Sequence, residues 1–177
     1  IELNPEYAEI AEDRAKEIAT AYSPRILIGD AREKLSDLAD ESVDLCINSP
    51  PYWDILNQRR TVDDRDISGY GESASDLGNT ADYQQFLDQL KEVYSEVFRV
   101  LKPNKRCVCV VMDIRKKSQF FPLHMDLSKV MEEIGFEVEE FIIWDRQHEY
   151  NNMKPLGYPW VFRVNKVHEF VCIFWKR

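Results

Sequence analysis

The residues with the clearest chemical meaning are Asn48-Ser49-Pro50-Pro51-Tyr52-Trp53, directly after the apolar run Val43 to Asn48. Two consecutive prolines cannot continue a sheet ladder, so the run must stop there in a rigid, extended turn. Such a turn presents a hydroxyl, a fixed backbone carbonyl and an aromatic ring at one place. At the carboxyl end of a strand in an open α/β sheet, that is where ligands bind. Two acids fall at the ends of earlier strand-like segments, Glu2 and Asp30. A carboxylate after one such strand is placed to accept from ribose hydroxyls, and one after the next from an adenine amino group. An acid at a helix N-terminus, held by the helix dipole, is the other reading for each.

The elements that must position these residues follow from the pattern. Ile1-Glu2-Leu3 reads as the tail of a strand, and Asn4-Pro5 opens a helix carrying Tyr7, Ile10, Ala11, Ala15 and Ile18, which Ser23-Pro24 ends. Arg25 to Ile28 is a short strand, and Gly29-Asp30 leads into a helix over Ala31 to Leu38. The spacing of Tyr83, Phe86, Leu87, Leu90, Val93, Tyr94, Val97, Phe98 and Leu101 predicts a long amphipathic helix, stopped by Lys102-Pro103-Asn104. Arg106 to Met112 reads as a strand buried on both faces. A helix over Leu123 to Ile134 ends at Gly135, and strands follow at Glu137 to Trp144 and Val167 to Trp175 with no helix between them. The order is that of an α/β fold, with a mostly parallel sheet and an antiparallel edge hairpin. The basic run Arg115-Lys116-Lys117 reads as a solvated turn.

Composition bounds the answer. The chain has 177 residues, 44% hydrophobic and 31% charged, with a net charge of −9. This suits one globular domain with a real core. It excludes a simple basic domain that coats nucleic acid, though not an enzyme with a locally basic cleft. No run approaches the roughly 20 apolar residues of a spanning helix. Cys46, Cys107, Cys109 and Cys172 all sit in strand-like runs without C-x-x-C spacing, as buried free thiols do. No metal site is expected, and the setting is expected to be reducing and cytoplasmic.

Taken together, these residues resemble the S-adenosylmethionine-dependent DNA amino-methyltransferases, which modify cytosine N4 or adenine N6. Glu2-Leu3-Asn4-Pro5-Glu6-Tyr7 resembles the family's acidic cofactor motif, Gly29-Asp30-Ala31 the motif facing the cofactor adenine, and Ser49-Pro50-Pro51-Tyr52 the catalytic motif. Arg99-Val100-Leu101-Lys102-Pro103, Ile142-Ile143-Trp144-Asp145-Arg146 and His168-Glu169-Phe170 are weaker matches. The resemblance implies a Rossmann-like methyltransferase fold over residues 1–177. It implies S-adenosyl-L-methionine as cofactor, contacted by Glu2, Leu3, Asp30 and Ala31. The catalytic set is Ser49, Pro50, Pro51 and Tyr52, and the partner is double-stranded DNA with a flipped target base. Ser49 Oγ and the Pro50 carbonyl would accept the amino hydrogens while Tyr52 stacks on the base. Trp53, Arg59 and Arg60 are further substrate contacts, and Trp144 is either a stacking or a core residue. Residues 53–79 form a long loop, mobile or in contact with DNA. Sequence readout falls to this loop or to residues 145–166, with Arg146, His148, Lys154 and Arg163.

One departure stands out. The family's glycine-rich loop, Phe-x-Gly-x-Gly, has no counterpart: the glycines lie at 29, 69, 71, 78, 135 and 157. The family's first strand and helix are missing with it. A missing N-terminal segment or a second chain would complete the cofactor site, and the chain alone is expected to bind cofactor weakly and to show little activity. A serine in the first catalytic position leans toward cytosine N4. The alternatives are adenine N6, a protein glutamine amide, or a degenerate domain that holds DNA or a partner subunit. A dehydrogenase lacks its own glycine fingerprint here and leaves Pro-Pro-Tyr unexplained. Membership of a restriction-modification system is in keeping with the family.

Overall fold

The computed structural model describes residues 1–18, 24–57, 73, 75–116, 118–149 and 166–177. Helix α1 (Pro5–Glu17) starts as its sequence requires: Asn4 Oδ1 accepts from the Glu6 N–H and Pro5 occupies the first turn. It ends earlier than expected, with Ile18 already in extended backbone. The strand expected over Arg25 to Ile28 shrinks to a parallel bridge between Glu2 and Ile28, made by Glu2 N–H to Leu27 O and Gly29 N–H to Glu2 O, both 2.9 Å. A segment as short as Ile1-Glu2-Leu3 offers it a single rung. The helix expected over Ala31 to Leu38 is α2 (Ala31–Lys34) followed by a 3-10 turn at Leu35–Asp37.

Strand β1 (Val43–Asn48) pairs in parallel with β2 (Leu101–Val111). Between them lies α3 (Tyr83–Val100), capped by Asp82, whose carboxylate accepts from the Gln85 N–H. The helix stops where expected, but the strand begins at once. Val43 pairs with Leu101 and Leu45 with Arg106, so Lys102–Lys105 bulge out of the ladder, with Asn104 at a φ of 62°. Lys176, buried, donates to the carbonyls of Phe98 (2.7 Å) and Leu101 (2.6 Å), closing the C-terminal end of α3.

A two-stranded hairpin, β3 (Ile114–Lys116) with β4 (Gln119–Phe121), stands where a solvated turn was expected. Helix α4 (Leu123–Ile134) ends at Gly135, whose φ of 118° only glycine adopts without strain; Phe136 N–H then reaches back to the Met131 carbonyl. Strands β5 (Glu137–Asp145) and β6 (His168–Lys176) complete a sheet of order β1-β2-β6-β5. β6 is antiparallel to both neighbours, so three of the four strands share one direction. The edge hairpin is therefore present, with β6 on its inner side.

Helices α3 and α4 cover one face of this sheet, burying Phe86, Leu90, Tyr94, Leu127, Met131 and Phe174. The thiols line that face: Cys46 pairs with Cys107 and Cys109 with Cys172 across the ladders, and the Cys107 and Cys109 sulfurs lie 3.8 Å apart.

Candidate active site

The elbow begins at Asn48, the last residue of β1. Tyr94, from α3, donates its hydroxyl proton to Asn48 Oδ1 at 2.8 Å, and Asn48 Nδ2 donates to Cys46 Sγ at 3.3 Å. The strand end is thus pinned from below. Ser49 is exposed, Pro50, Pro51 and Tyr52 are half-buried, and Trp53 is buried. The structure brings all four expected catalytic residues to one turn, at the carboxyl end of a parallel strand.

Tyr52 reaches across the end of β2 to β6. Its hydroxyl lies 3.2 Å from Ser49 Oγ and 3.2 Å from Glu169 Oε2. Glu169 is buried at 3% exposure, and Arg146 donates from Nη1 to its other oxygen. Arg146 also grips Glu149, which holds it at the start of the turn after β5. Burial is the main reason the Tyr52 phenol is pushed up to about 12, with the Glu169 charge acting in the same direction and the Ser49 bond against it. Neither Glu169 nor Arg146 was assigned a role in this network from sequence. The signal was an ionisable side chain inside an otherwise apolar strand, which demands a partner.

Trp53 corrects an expectation. It is 4% exposed, its indole N–H donates to the Thr80 carbonyl at 2.8 Å, and its ring packs edge-on against Tyr83 and Phe121. It offers no open face to a base. Its φ of 50° lies in the left-handed region, where a bulky side chain is strained by about 1–3 kcal/mol. The surrounding packing holds it there. Lys116 stands over the same ring, 4.1 Å from its centroid, and pairs with Asp54. The basic run read as a solvated turn therefore supplies a clamp on the elbow.

Of the 53–79 interval, 53–57, 73 and 75–79 are described, with 3-10 turns at Ile55–Asn57 and Leu77–Asn79. Asn57 Nδ2 donates to the Gly78 carbonyl (3.1 Å) and to Asn79 Oδ1 (2.9 Å), tying the two turns together. Arg59 and Arg60 lie outside the described residues, as do Lys154 and Arg163.

The second turn also touches the acidic edge, because Arg32 donates to the Ser75 carbonyl at 3.1 Å. Glu2 lies in the bridge to Ile28 and Asp30 follows two residues after that bridge, with Leu3 and Ala31 half-buried next to them in the chain. Glu2 Oε1 accepts from the Asn4 N–H at 2.8 Å. Asp30 caps α2, and both its oxygens are engaged by Arg32, the closest contact being 2.5 Å. Those bonds hold its carboxyl below the usual range. The helix-capping reading of Asp30 is thus realised, and any further donor would share this carboxylate with Arg32. Asp76 joins the edge from the 75–79 turn. Burial above all pushes its carboxyl up, against the bond from the Gly78 N–H, with the Glu2 charge adding to the rise. Two carboxylates that repel each other make an edge suited to a ligand bearing hydroxyls and positive charge.

On the far side of the elbow, Asp113 follows β2. His124 Nδ1 lies 2.6 Å from Asp113 Oδ1, and its ring stacks on Phe170 with centroids 3.9 Å apart. Asp113 also accepts from the His124 N–H at 3.3 Å, closing the first turn of α4. Trp144 and His148 are exposed, which removes the core reading for Trp144. Among the described residues no cluster of His, Cys, Asp and Glu is placed to hold a metal ion. No helix among them is long and apolar enough to cross a membrane.

The geometry first defines a class: an α/β domain with an acidic edge and a Pro-Pro-Tyr elbow at the carboxyl ends of its strands. The particular family follows from comparison. The model for N6/N4 methylases, described as DNA methylase, matches residues 43–177, and the chain belongs to that family. The type II methyltransferase M.MjaI of Methanocaldococcus jannaschii is 29% identical over 136 residues, covering 69% of this chain and 45% of that protein. M.MjaVI of the same organism is 27% identical over 113 residues, 63% of this chain and 50% of its own length. The chain thus spans about half the length of the curated relatives it matches. Among solved structures, TTHA0409 of Thermus thermophilus, described as a DNA modification methylase and solved with S-adenosyl-L-methionine, superposes with a TM-score of 0.60. It is 31% identical, with 84% of this chain and 54% of that chain covered. The cytosine-N4-specific PvuII DNA methyltransferase shares the fold, with a TM-score of 0.59 at 21% identity, covering 85% of this chain and 48% of its own.

Proposed function

We propose that this chain is the catalytic part of a DNA methyltransferase that places a methyl group on an exocyclic amino nitrogen, cytosine N4 before adenine N6. The observation that supports it is the elbow itself: an exposed Ser49 beside a half-buried Tyr52, at the end of a parallel strand. An amino nitrogen on a base is a poor nucleophile because its lone pair is delocalised into the ring. Ser49 Oγ and the Pro50 carbonyl accept its two hydrogens and favour a tetrahedral nitrogen whose lone pair is aimed outward. This is positioning plus preorganised electrostatics. Tyr52 offers its ring to a base taken out of the duplex, at a cost of a few kcal/mol. S-adenosyl-L-methionine, when bound, supplies an electrophilic methyl on a sulfonium. Glu2 accepts its ribose hydroxyls, Leu3 and Ala31 flank it, and Asp30 faces its adenine alongside Arg32.

Arg59 and Arg60 remain candidates for phosphate contacts. Buried free thiols suit a reducing, cytoplasmic setting. The test is incorporation of tritiated methyl from labelled S-adenosylmethionine by the protein expressed from its complete reading frame. Duplexes carrying cytosine as the sole methylatable base are compared with duplexes carrying adenine. Transfer to the cytosine duplex, lost in Ser49→Ala, is the expected result. Transfer to adenine alone would reassign the base, and transfer to neither would overturn the reading.

A further inference from the structure

Glu169 poses a question that the proposed function leaves unanswered. A carboxylate at 3% exposure inside an apolar strand is costly unless it is paired and hydrogen-bonded. Arg146 provides the pair on Oε1, and a guanidinium can only donate, so the carboxylate accepts there. An ionised carboxylate has lone pairs and no proton to give. The proton in the 3.2 Å contact between Glu169 Oε2 and Tyr52 must therefore be the tyrosine's. With its single proton committed there, the Tyr52 oxygen can only accept from Ser49, 3.2 Å away. That commits the serine proton in turn. A lone serine hydroxyl rotates to suit its partners, and this contact turns its proton back toward Tyr52 and its lone pairs outward.

We propose that Glu169 is a positioning residue that sets the direction of the chain Ser49 to Tyr52 to Glu169 and so makes Ser49 an obligate acceptor for the substrate amino group. This rests on the reading of Ser49 given above. A donor hydroxyl at that position would oppose an amino hydrogen, so the fixed charge works as a selector of hydrogen-bond polarity two residues removed from the substrate. Linked bonds of one polarity also reinforce each other in a low-dielectric setting.

Glu169→Gln keeps the shape and removes the charge, and its amide can donate to Tyr52 and reverse the chain. Two readouts apply. The first needs no activity. In protein labelled with ¹³Cζ-tyrosine, the Tyr52 resonance, assigned by its loss in Tyr52→Phe, is titrated with pH. Glu169→Gln is expected to move the midpoint down from about 12 toward the ordinary phenol value. The second is methyl transfer. Glu169→Gln and Tyr52→Phe are each expected to lower kcat about ten- to hundredfold with little change in KM for DNA, and the double variant to fall no further than Tyr52→Phe. A Tyr52 midpoint unmoved by Glu169→Gln, or a double variant losing the product of both effects, would overturn the proposal. If Glu169→Gln does not fold, Glu169→Asp, which keeps the charge but cannot reach the Tyr52 hydroxyl, is read by methyl transfer: kcat is expected to fall as in Tyr52→Phe, and an unchanged kcat would overturn the proposal. A wild-type protein that methylates no duplex while Tyr52 still answers to Glu169 supports the hydrogen-bond chain and overturns the amino-group reading instead.

Discussion

The hydroxyl of Tyr52 and the carboxylate of Glu169 meet at 3.2 Å across 117 residues of chain, joining the elbow after β1 to the start of β6 over the intervening end of β2. The contact ties the candidate site to the sheet order, because β6, inserted beside β2, is the strand that carries this acid to the turn.

Removing the acceptor should cost activity and spare the fold. Ser49→Ala is expected to lower methyl transfer about 10²–10³-fold. Ser49 is exposed, so the thermal midpoint should stay near wild type, as for most surface substitutions. Labelled-methyl incorporation and circular dichroism on the same preparation check both halves.

Trp53 should behave as scaffold. Trp53→Ala is expected to cost about 3–5 kcal/mol, as for other buried aromatic truncations. Trp53→Phe keeps most of the packing and loses the bond to the Thr80 carbonyl, worth about 1 kcal/mol. Urea titration measures both. DNA affinity of the phenylalanine variant, followed by 2-aminopurine fluorescence, should remain at the wild-type level.

Tyr52 should register in alkaline stability. Its folded value is raised from 10.0 to about 12, so the protonated phenol is favoured by folding. Its contribution is complete below pH 10 and is lost as pH rises toward 12. Tyr83 and Tyr94 are raised as well, by burial first. Tyr52→Phe should therefore flatten the alkaline fall in stability without abolishing it, as denaturant midpoints followed from pH 10 toward 12 would show.

Asp30 should act in the opposite pH direction. The side-chain bonds from Arg32, and after them the cap on α2, lower its carboxyl below the ordinary 3.8. Its contribution is present above that pH and is lost as pH falls through the lowered folded value. Asp30→Ala is expected to cost about 1 kcal/mol at neutral pH, with the gap to wild type closing in acid. Denaturant midpoints at pH 7 and pH 3 test the sign.

Much of this was legible in the chain. The three-and-four spacing of Tyr83 through Leu101 gives α3, because a buried helix face leaves that mark directly. Pro50-Pro51 marks the elbow because proline cannot stay in a ladder. The Lys102-Pro103-Asn104 stop was legible, but the bulge that follows was not, since it depends on which residues of β1 the strand meets. Trp53 was misjudged because an aromatic beside a site looks the same in sequence whether it faces the ligand or the core. Only the Thr80 carbonyl and the rings of Tyr83 and Phe121 decide that. Lys116 was misjudged for the same reason: the ring it covers belongs to a residue far upstream in the chain. Glu169 was visible as an acid in an apolar strand, but its partners come from two other parts of the chain.

The row of thiols has a practical consequence. Cys107, Cys109 and Cys172 are each 0% exposed, sealed between the sheet and its helices, whereas Cys46 is half-buried and held below an ordinary thiol by bonds from Cys107 and Asn48. An alkylating reagent should mark Cys46 first and reach the other three only in molecules whose helix–sheet seam has parted. Mass spectrometry of the alkylation ladder would then serve as a clock for that parting, reporting how firmly the platform beneath the elbow stays shut.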